Sequence, residues 1–181
     1  PITLIGGDGQ KVIKLEARDK AGNKGTANLT VNLDRGIPSI NINSITNNAD
    51  IGGVPAAGLS AATKGNFLSI NGNASDDNLD SLTVFANNNK TAGVYFNRAT
   101  GAFQANITLA GANGQETPNV IVFFANDTFG QIGSANITIV KDLIGPQIVS
   151  FEPATNATAS IQPSLSFITH EPASPCTVSY P

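Results

Sequence analysis

The chain is poor in the residues from which active sites are usually built. Its 181 residues hold one Cys, one His, no Trp and no Met. A lone Cys excludes an internal disulfide framework and a CxxC zinc site, and a lone His excludes a multi-His metal centre. Charge is scarce too: 13% of residues are charged, with 10 Lys plus Arg against 13 Asp plus Glu, a net charge of −3 and a pI near 4.9. Such a balance offers no basic footprint for a phosphate backbone, so no nucleic-acid partner is expected. No run approaches the roughly 18 apolar residues of a membrane span. The N-terminus has neither a start Met nor a charged, apolar signal pattern, and it reads as part of a longer chain.

What is present is 40% hydrophobic residues together with 21 Asn, 16 Thr and 13 Ser. That is enough apolar material for one large or two small domains, under an uncharged polar surface that suits an extracellular, cell-surface location.

An internal repeat organises the chain. Val12–Ile40 overlays Val120–Ile148 at a constant offset of 108, with twelve identities in 29 positions. They include Asp19 with Asp127, Gly22 with Gly130, Gly25 with Gly133, Asn28 with Asn136, Asp34 with Asp142 and Pro38 with Pro146. Upstream, ITLIGGDGQ at Ile2–Gln10 matches ITLAGANGQ at Ile107–Gln115 in six of nine places. The boundaries that follow are the closing strands of one unit at 1–34, a complete unit at 35–142 and the opening strands of another at 143–181.

Within the complete unit, β-rich runs alternate with Gly, Asn and Pro clusters. They fall at Ser39–Asn43, Phe67–Asn71, Ser81–Ala86, Gly93–Asn97, Ala102–Leu109, Asn119–Ala125 and Ser134–Val140. Phe103, Ala105 and Ile107 alternate with Gln104, Asn106 and Thr108, the period of two of a strand with one buried face. Seven such strands in about 100 residues predict a β-sandwich. Ser44–Asn66 reads as a long connection, either a loop excursion or a small extra hairpin, and LSFITHEPASPCTVSY reads as two short strands around a turn.

ARDKAGNKGTANLTVNLD followed by Pro38, with FLSINGNASDDNLDSLTVFANN, TGAFQANITLAGANGQ and VIVFFANDTFGQIGSANITIVKD, resembles the bacterial and archaeal Ig-like repeat. Asp19, Ala21, Gly22 and Asn23, then Asp34 and Pro38, stand at that family's turn and junction positions. The second copy departs from it, with Phe129, Gly130 and Gln131 in place of AGN. The resemblance implies an all-β fold of tandem immunoglobulin-like β-sandwich domains, one complete and two partial. It also implies the uses of such repeats: stalks, adhesin modules, S-layer units and spacers in secreted glycosidases.

Seven N-x-S/T sequons occur, at Asn28, Asn73, Asn89, Asn106, Asn126, Asn136 and Asn156. Chance would produce about 3.4 at this content of Ser and Thr. They are candidates for N-linked glycans; the competing reading is ordinary polar strand surface. Asn28, Asn106 and Asn136 fall on the outward side of their strands, where a glycan leaves the core intact.

Asp76, Asp77 and Asp80 could supply hard oxygen ligands to calcium, as could Asp34 or Asp142 near a junction. No EF-hand spacing accompanies them, and Asp and Asn also initiate turns through their own backbone. The same two readings apply to Asp8, Asp19 and Asp127. No other cofactor is implied.

Comparison of the two repeat copies exposes an outward apolar patch. Ile13, Leu15 and Ala17 match Ile121, Phe123 and Ala125 as the inward set, but the outward Lys14 and Glu16 become Val122 and Phe124, with Phe85 on an adjacent strand. Such a patch needs a cover: either Ser44–Asn66 folds over it, or Phe85, Val122 and Phe124 form an assembly contact with another domain or subunit. Cys176 reads as a small buried apolar residue or as a partner for a cysteine elsewhere. His170 and Glu171 would face opposite ways in a strand, and GGDG at Gly6–Gly9 precedes a strand, not the helix that a phosphate cradle needs.

These features imply no enzyme. The leading reading is a structural segment of an N-glycosylated extracellular surface protein, an S-layer or a surface filament or stalk, working by rigid spacing and by lateral or head-to-tail contacts. Its partners would be other copies of itself, neighbouring Ig-like domains and N-linked glycans. The alternative is an adhesin or a carbohydrate-binding accessory module of a secreted protein, against which the scarcity of aromatic platforms counts.

Overall fold

Period-two alternation at the sequence level becomes thirteen strands, with no helix among the described residues, in the computed structural model, which describes residues 1–46, 51, 54–55, 60–112, 114–152, 166–170 and 177. The strands are β1 (Gly9–Arg18), β2 (Lys24–Leu33), β3 (Ser39–Thr46), β4 (Ser60–Thr63), β5 (Phe67–Ser75), β6 (Leu79–Ala86) and β7 (Asn89–Lys90). They continue with β8 (Val94–Phe96), β9 (Ala102–Thr108), β10 (Glu116–Asp127), β11 (Ile132–Asp142), β12 (Ile148–Glu152) and β13 (Ser166–Thr169).

Two sheets share one core. The first has the order β3-β5-β9-β8 and the second β4-β11-β10-β6-β7. Leu68, Ile70, Phe103, Ala105 and Ile107 of the first meet Val84, Ile121, Phe123, Ile137 and Ile139 of the second, all buried. Phe103 and Phe123 stack at 5.3 Å between centroids across the layers. Each of these large side chains contributes about 1.5–3 kcal/mol by leaving water. The architecture is all-β and sandwich-like. Strand ends follow local chemistry: Asn87 and Asn88 both take positive φ, 50° and 67°, and close β6 onto β7 in a two-residue turn.

All seven expected strands are present, most of them longer than their sequence signal. Of the long connection, 47–50, 52–53 and 56–59 lie outside the described residues, and its described parts add strand at both ends. Ser44–Thr46 extends β3, and Ser60–Thr63 pairs parallel with β11 at the sheet edge. Ile51 is buried in the core and Val54 packs against it. The described residues of this connection therefore serve the core and the edge, and do not lie over Phe85, Val122 and Phe124.

Outside this pair of sheets, among the described residues, β1 pairs only with β2 and β12 only with β13. The sequence pattern turns Ile13, Leu15 and Ala17 inward, yet Leu15 is 55% and Leu29 53% exposed, whereas their repeat counterparts Phe123 and Ile137 are 0% and 6%. The hairpin has the pattern of a buried face, but no second sheet lies against it among the described residues. Of the two strands expected in LSFITHEPASPCTVSY, the first is β13, paired with β12, and the second lies outside the described residues.

The segment entering the sandwich is tightly seated. Pro38 is buried, and a Cβ on Gly133 would overlap its carbonyl oxygen, so only glycine permits this approach. The repeat counterpart Gly25 has open space around it. Gly133→Ala is expected to destabilise the sandwich by about 1–3 kcal/mol through overpacking, and Gly25→Ala to stay within about 0.5 kcal/mol. Urea unfolding followed by circular dichroism measures both, and equal effects would contradict this packing.

Candidate functional site

Chemistry-bearing side chains converge where the β1–β2 hairpin meets the sandwich. The local driver is the Asx turn, in which a short carboxylate accepts a backbone N–H two residues on. Asp34 Oδ1 accepts from Gly36 N at 2.9 Å, Asp76 Oδ1 from Asn78 N at 2.8 Å and Asp142 Oδ1 from Ile144 N at 2.9 Å. Asp34 and Asp142 are repeat counterparts, so both junctions open with the same turn.

Asp19 and Asp127, also counterparts, brace the turns after β1 and β10. Asp19 accepts from the backbone N and side-chain Nδ2 of Asn23 at 2.9 and 2.8 Å. Asp127 Oδ1 accepts from Phe129 N and Gln131 N at 2.8 Å each. Gly22 and Gly130 supply the positive φ, 90° and 86°, that each turn requires. The departure from AGN has a structural result: Gln131, one methylene longer than Asn23, donates through Nε2 both to Asp127 Oδ2 and to the Asp34 carbonyl, each at 3.3 Å. The turn of the sandwich is thereby tied to the incoming segment, and Asn78 adds a second tie by donating Nδ2 to Asp34 Oδ2.

Asp34, Asp76 and Asp127 each place a carboxylate oxygen within 4.8 Å of the others, with Asp127 buried and the other two half-buried. For ionised carboxylates at the outer limit of that range, repulsion is on the order of 3 kcal/mol per pair at an effective dielectric of about 20. Hydrogen bonds to charged groups, about 1.5–3 kcal/mol each, offset it: three reach Asp127, two Asp34 and one Asp76. None of the ion pairs among the described residues touches the three. They form a set of hard oxygen donors of the kind calcium takes, and among the described residues they are the acidic group close enough together to hold a cation.

The sequence expectation named Asp76, Asp77 and Asp80, with Asp34 and Asp127 as further candidates, and the structure groups these differently. Of Asp76, Asp77 and Asp80, only Asp76 joins the cluster. Asp77 is exposed on the rim of the adjoining groove. Asp80, projecting from β6, pairs with Arg98 Nη1 at 3.1 Å, while Arg98 Nε donates to the Leu79 carbonyl. Asp34 and Asp127, separated from Asp76 in sequence, complete the set. Asp8 also lies at this junction, where Arg35 donates Nε to Asp8 Oδ1 at 2.9 Å and Nη2 to the Gly6 carbonyl at 2.7 Å.

Sequence reasoning missed the amides Asn78, Gln131 and Asn119. Asn119 is fully buried and satisfied: Nδ2 donates to the Ala110 and Thr117 carbonyls, and Oδ1 accepts from Ala110 N and Asn87 Nδ2. Of the three, only Gln131 carries a signal in the sequence, as the position where the repeat departs from its copy.

Of the sequon residues, Asn28 on β2, Asn89 on β7, Asn106 on β9 and Asn136 on β11 are exposed, and Asn73 on β5 and Asn126 on β10 are half-buried. Asn156 and Cys176 lie outside the described residues. Phe85, Val122 and Phe124 are half-buried on the outer face of the second sheet, with Phe85 and Phe124 edge to face at 5.9 Å and 81°. His170 Nδ1 accepts from Gln147 N at 3.0 Å, which holds it in the turn beside β13.

The chain matches no family model, and no curated protein is significantly similar to it.

Arg35 hydrogen-bonds Asp8 and holds its carboxyl below the ordinary value; Asn23 does the same for Asp19. A lowered folded-state pKa means that the stabilisation is complete above the ordinary carboxylate value and is lost as pH falls through the lowered one. Carboxyl-carbon NMR titration should find both carboxyls low. In Arg35→Ala, Asp8 should return to its ordinary value and Asp19 should not. An Asp8 indifferent to Arg35 would contradict the pairing.

Proposed function

We propose that this chain is a structural segment of a tandem Ig-like, N-glycosylated extracellular surface protein, an S-layer component or a surface filament or stalk. It works by holding successive sandwiches at a fixed spacing, with lateral or head-to-tail contacts between units and no catalytic role. The observation that carries this reading is the seating of residues 34–38. Asp34 is held by Asn78 and by Gln131, Arg35 by Asp8, and Pro38 lies against Gly133. A linker this short, tied on both sides, transmits orientation instead of absorbing it.

Two further observations support tandem units. The uncovered face of β1–β2 repeats residues that are buried in β10–β11. β12 opens at Ile148, 108 residues after Ile40 of β3, and like β3 it pairs antiparallel with a later strand. In this reading residues 1–34 close one unit, 35–142 form a complete one and 143–181 open a third. The shared Asx turns at Asp34 and Asp142 make both junctions alike, so length scales with copy number. Exposed Asn and Thr, with little charge, give a hydrated surface that tolerates close neighbours.

Intact-mass and glycopeptide mass spectrometry on the protein isolated from its source tests this. The expected result is sugar adducts on Asn28, Asn106 or Asn136, on a chain longer than 181 residues. A bare chain of this length would replace the proposal with a secreted binding or spacer module.

A further inference from the structure

The register of the second sheet brings two separate features of the sequence onto one face. β10 turns Val120, Val122, Phe124 and Asn126 outward, and β11 turns Ile132, Ser134, Asn136 and Thr138 the same way. Asn136, exposed and the first residue of an N-I-T sequon, pairs directly with Val122, and Val122 pairs on its other side with Phe85. Phe124 pairs with Ser134 and Thr83. Directly opposed side chains stand about 4.5–5.5 Å apart at Cβ, and diagonal ones about 7–8 Å. A sugar on Asn136 Nδ2 therefore starts over Val122, with Phe124 on its diagonal and the Phe85 ring one strand further.

A glycan and a protein partner cannot both occupy this face. An assembly contact on Phe85, Val122 and Phe124 would bury the neighbouring Asn136, whereas an N-glycan there would sweep the patch and exclude a flat partner. A second sequon residue, Asn126, stands on the same face two residues beyond Phe124, so sugar attachment points lie both across and along the strand. Among the residues just named there is no charge; Lys90, opposite Phe85, stands at the sheet edge. An uncharged floor of two edge-to-face phenyl rings and a valine suits the C–H face of a pyranose, which is apolar while its hydroxyls remain in water.

We infer that Asn136 carries an N-linked glycan whose first sugars lie on Val122, Phe124 and Phe85, making this face a glycan-covered surface and not an assembly contact. The inference rests on the N-glycosylation proposed above and says what one glycan does. The first hairpin supplies an internal control: its counterpart sequon, Asn28, pairs with Lys14, and Glu16 replaces Phe124, so a glycan there has no apolar floor.

The test is the full chain secreted from a host that attaches high-mannose N-glycans, with occupancy read by glycopeptide mass spectrometry and stability by thermal melting. Occupied Asn136 is expected, with Asn136→Gln lowering the sandwich Tm by about 4 °C or more and Asn28→Gln leaving it unchanged. In a Val122→Lys/Phe124→Glu background the Asn136→Gln effect should vanish. Should that background fold poorly, endoglycosidase trimming of the unaltered chain to a single sugar should keep most of the Tm that complete removal loses.

Occupied Asn136 with no such loss on removal, or with the same loss in both backgrounds, would overturn the inference while leaving N-glycosylation standing. A bare Asn136 would remove the site itself, and bare sequons throughout would remove the glycosylation reading with it. Self-association of the glycosylated chain, abolished by Val122→Lys/Phe124→Glu, would return the patch to an assembly role.

Discussion

The close approach of Pro38 to Gly133 is the constraint on which the arrangement depends. It is a backbone contact that only a residue without a side chain allows, and it seats the incoming segment at one end of the sandwich independently of any polar group. With Pro38 there, Asp34 comes within reach of Asn78 and Gln131, and the three carboxylates of Asp34, Asp76 and Asp127 come together. Packing does the positioning, and backbone N–H groups together with the Asn78 and Gln131 amides then make the acidic cluster tolerable.

That order explains why a protein with so little charge gathers three carboxylates in one place. A turn carboxylate is inexpensive alone, because its lone pairs are taken by backbone N–H groups of its own loop. Three such turns meet because a junction and two loop ends occupy the same end of the sheets. The repeat makes this a property of the unit: Asp127 repeats Asp19 and Asp142 repeats Asp34, and each pair retains the same turn bonding. The single alteration from Asn23 to Gln131 changes a local brace into a brace plus a link.

Much of the fold is legible in the sequence because burial on one face imposes a period that survives in the residues. β9, β10 and β11 alternate visibly, and the offset of 108 marks the equivalent turns from residue identities alone. β4 is not legible: Ser60, Ala61 and Ala62 carry little strand signal, and its parallel partner β11 is remote in sequence. At the candidate site, each Asx turn can be read locally, but the meeting of Asp34, Asp76 and Asp127 depends on tertiary packing that no spacing encodes. Asp80 looks equivalent to Asp76 in sequence, yet the alternation of β6 sends it to Arg98. The inward pattern of Ile13, Leu15 and Ala17 is legible as pattern, while its exposure depends on what lies opposite.

In the proposed function, residues 34–38, tied on both sides, hold the β1–β2 hairpin at a fixed orientation to the sandwich. Pulsed electron paramagnetic resonance measures this most directly, with spin labels at Lys14 and Gln104, both exposed, in a chain carrying Cys176→Ser. One narrow distance distribution is expected, broadened when Asp34 and Asn78 are both replaced by Ala. A broad distribution in the otherwise unaltered chain would contradict a fixed junction.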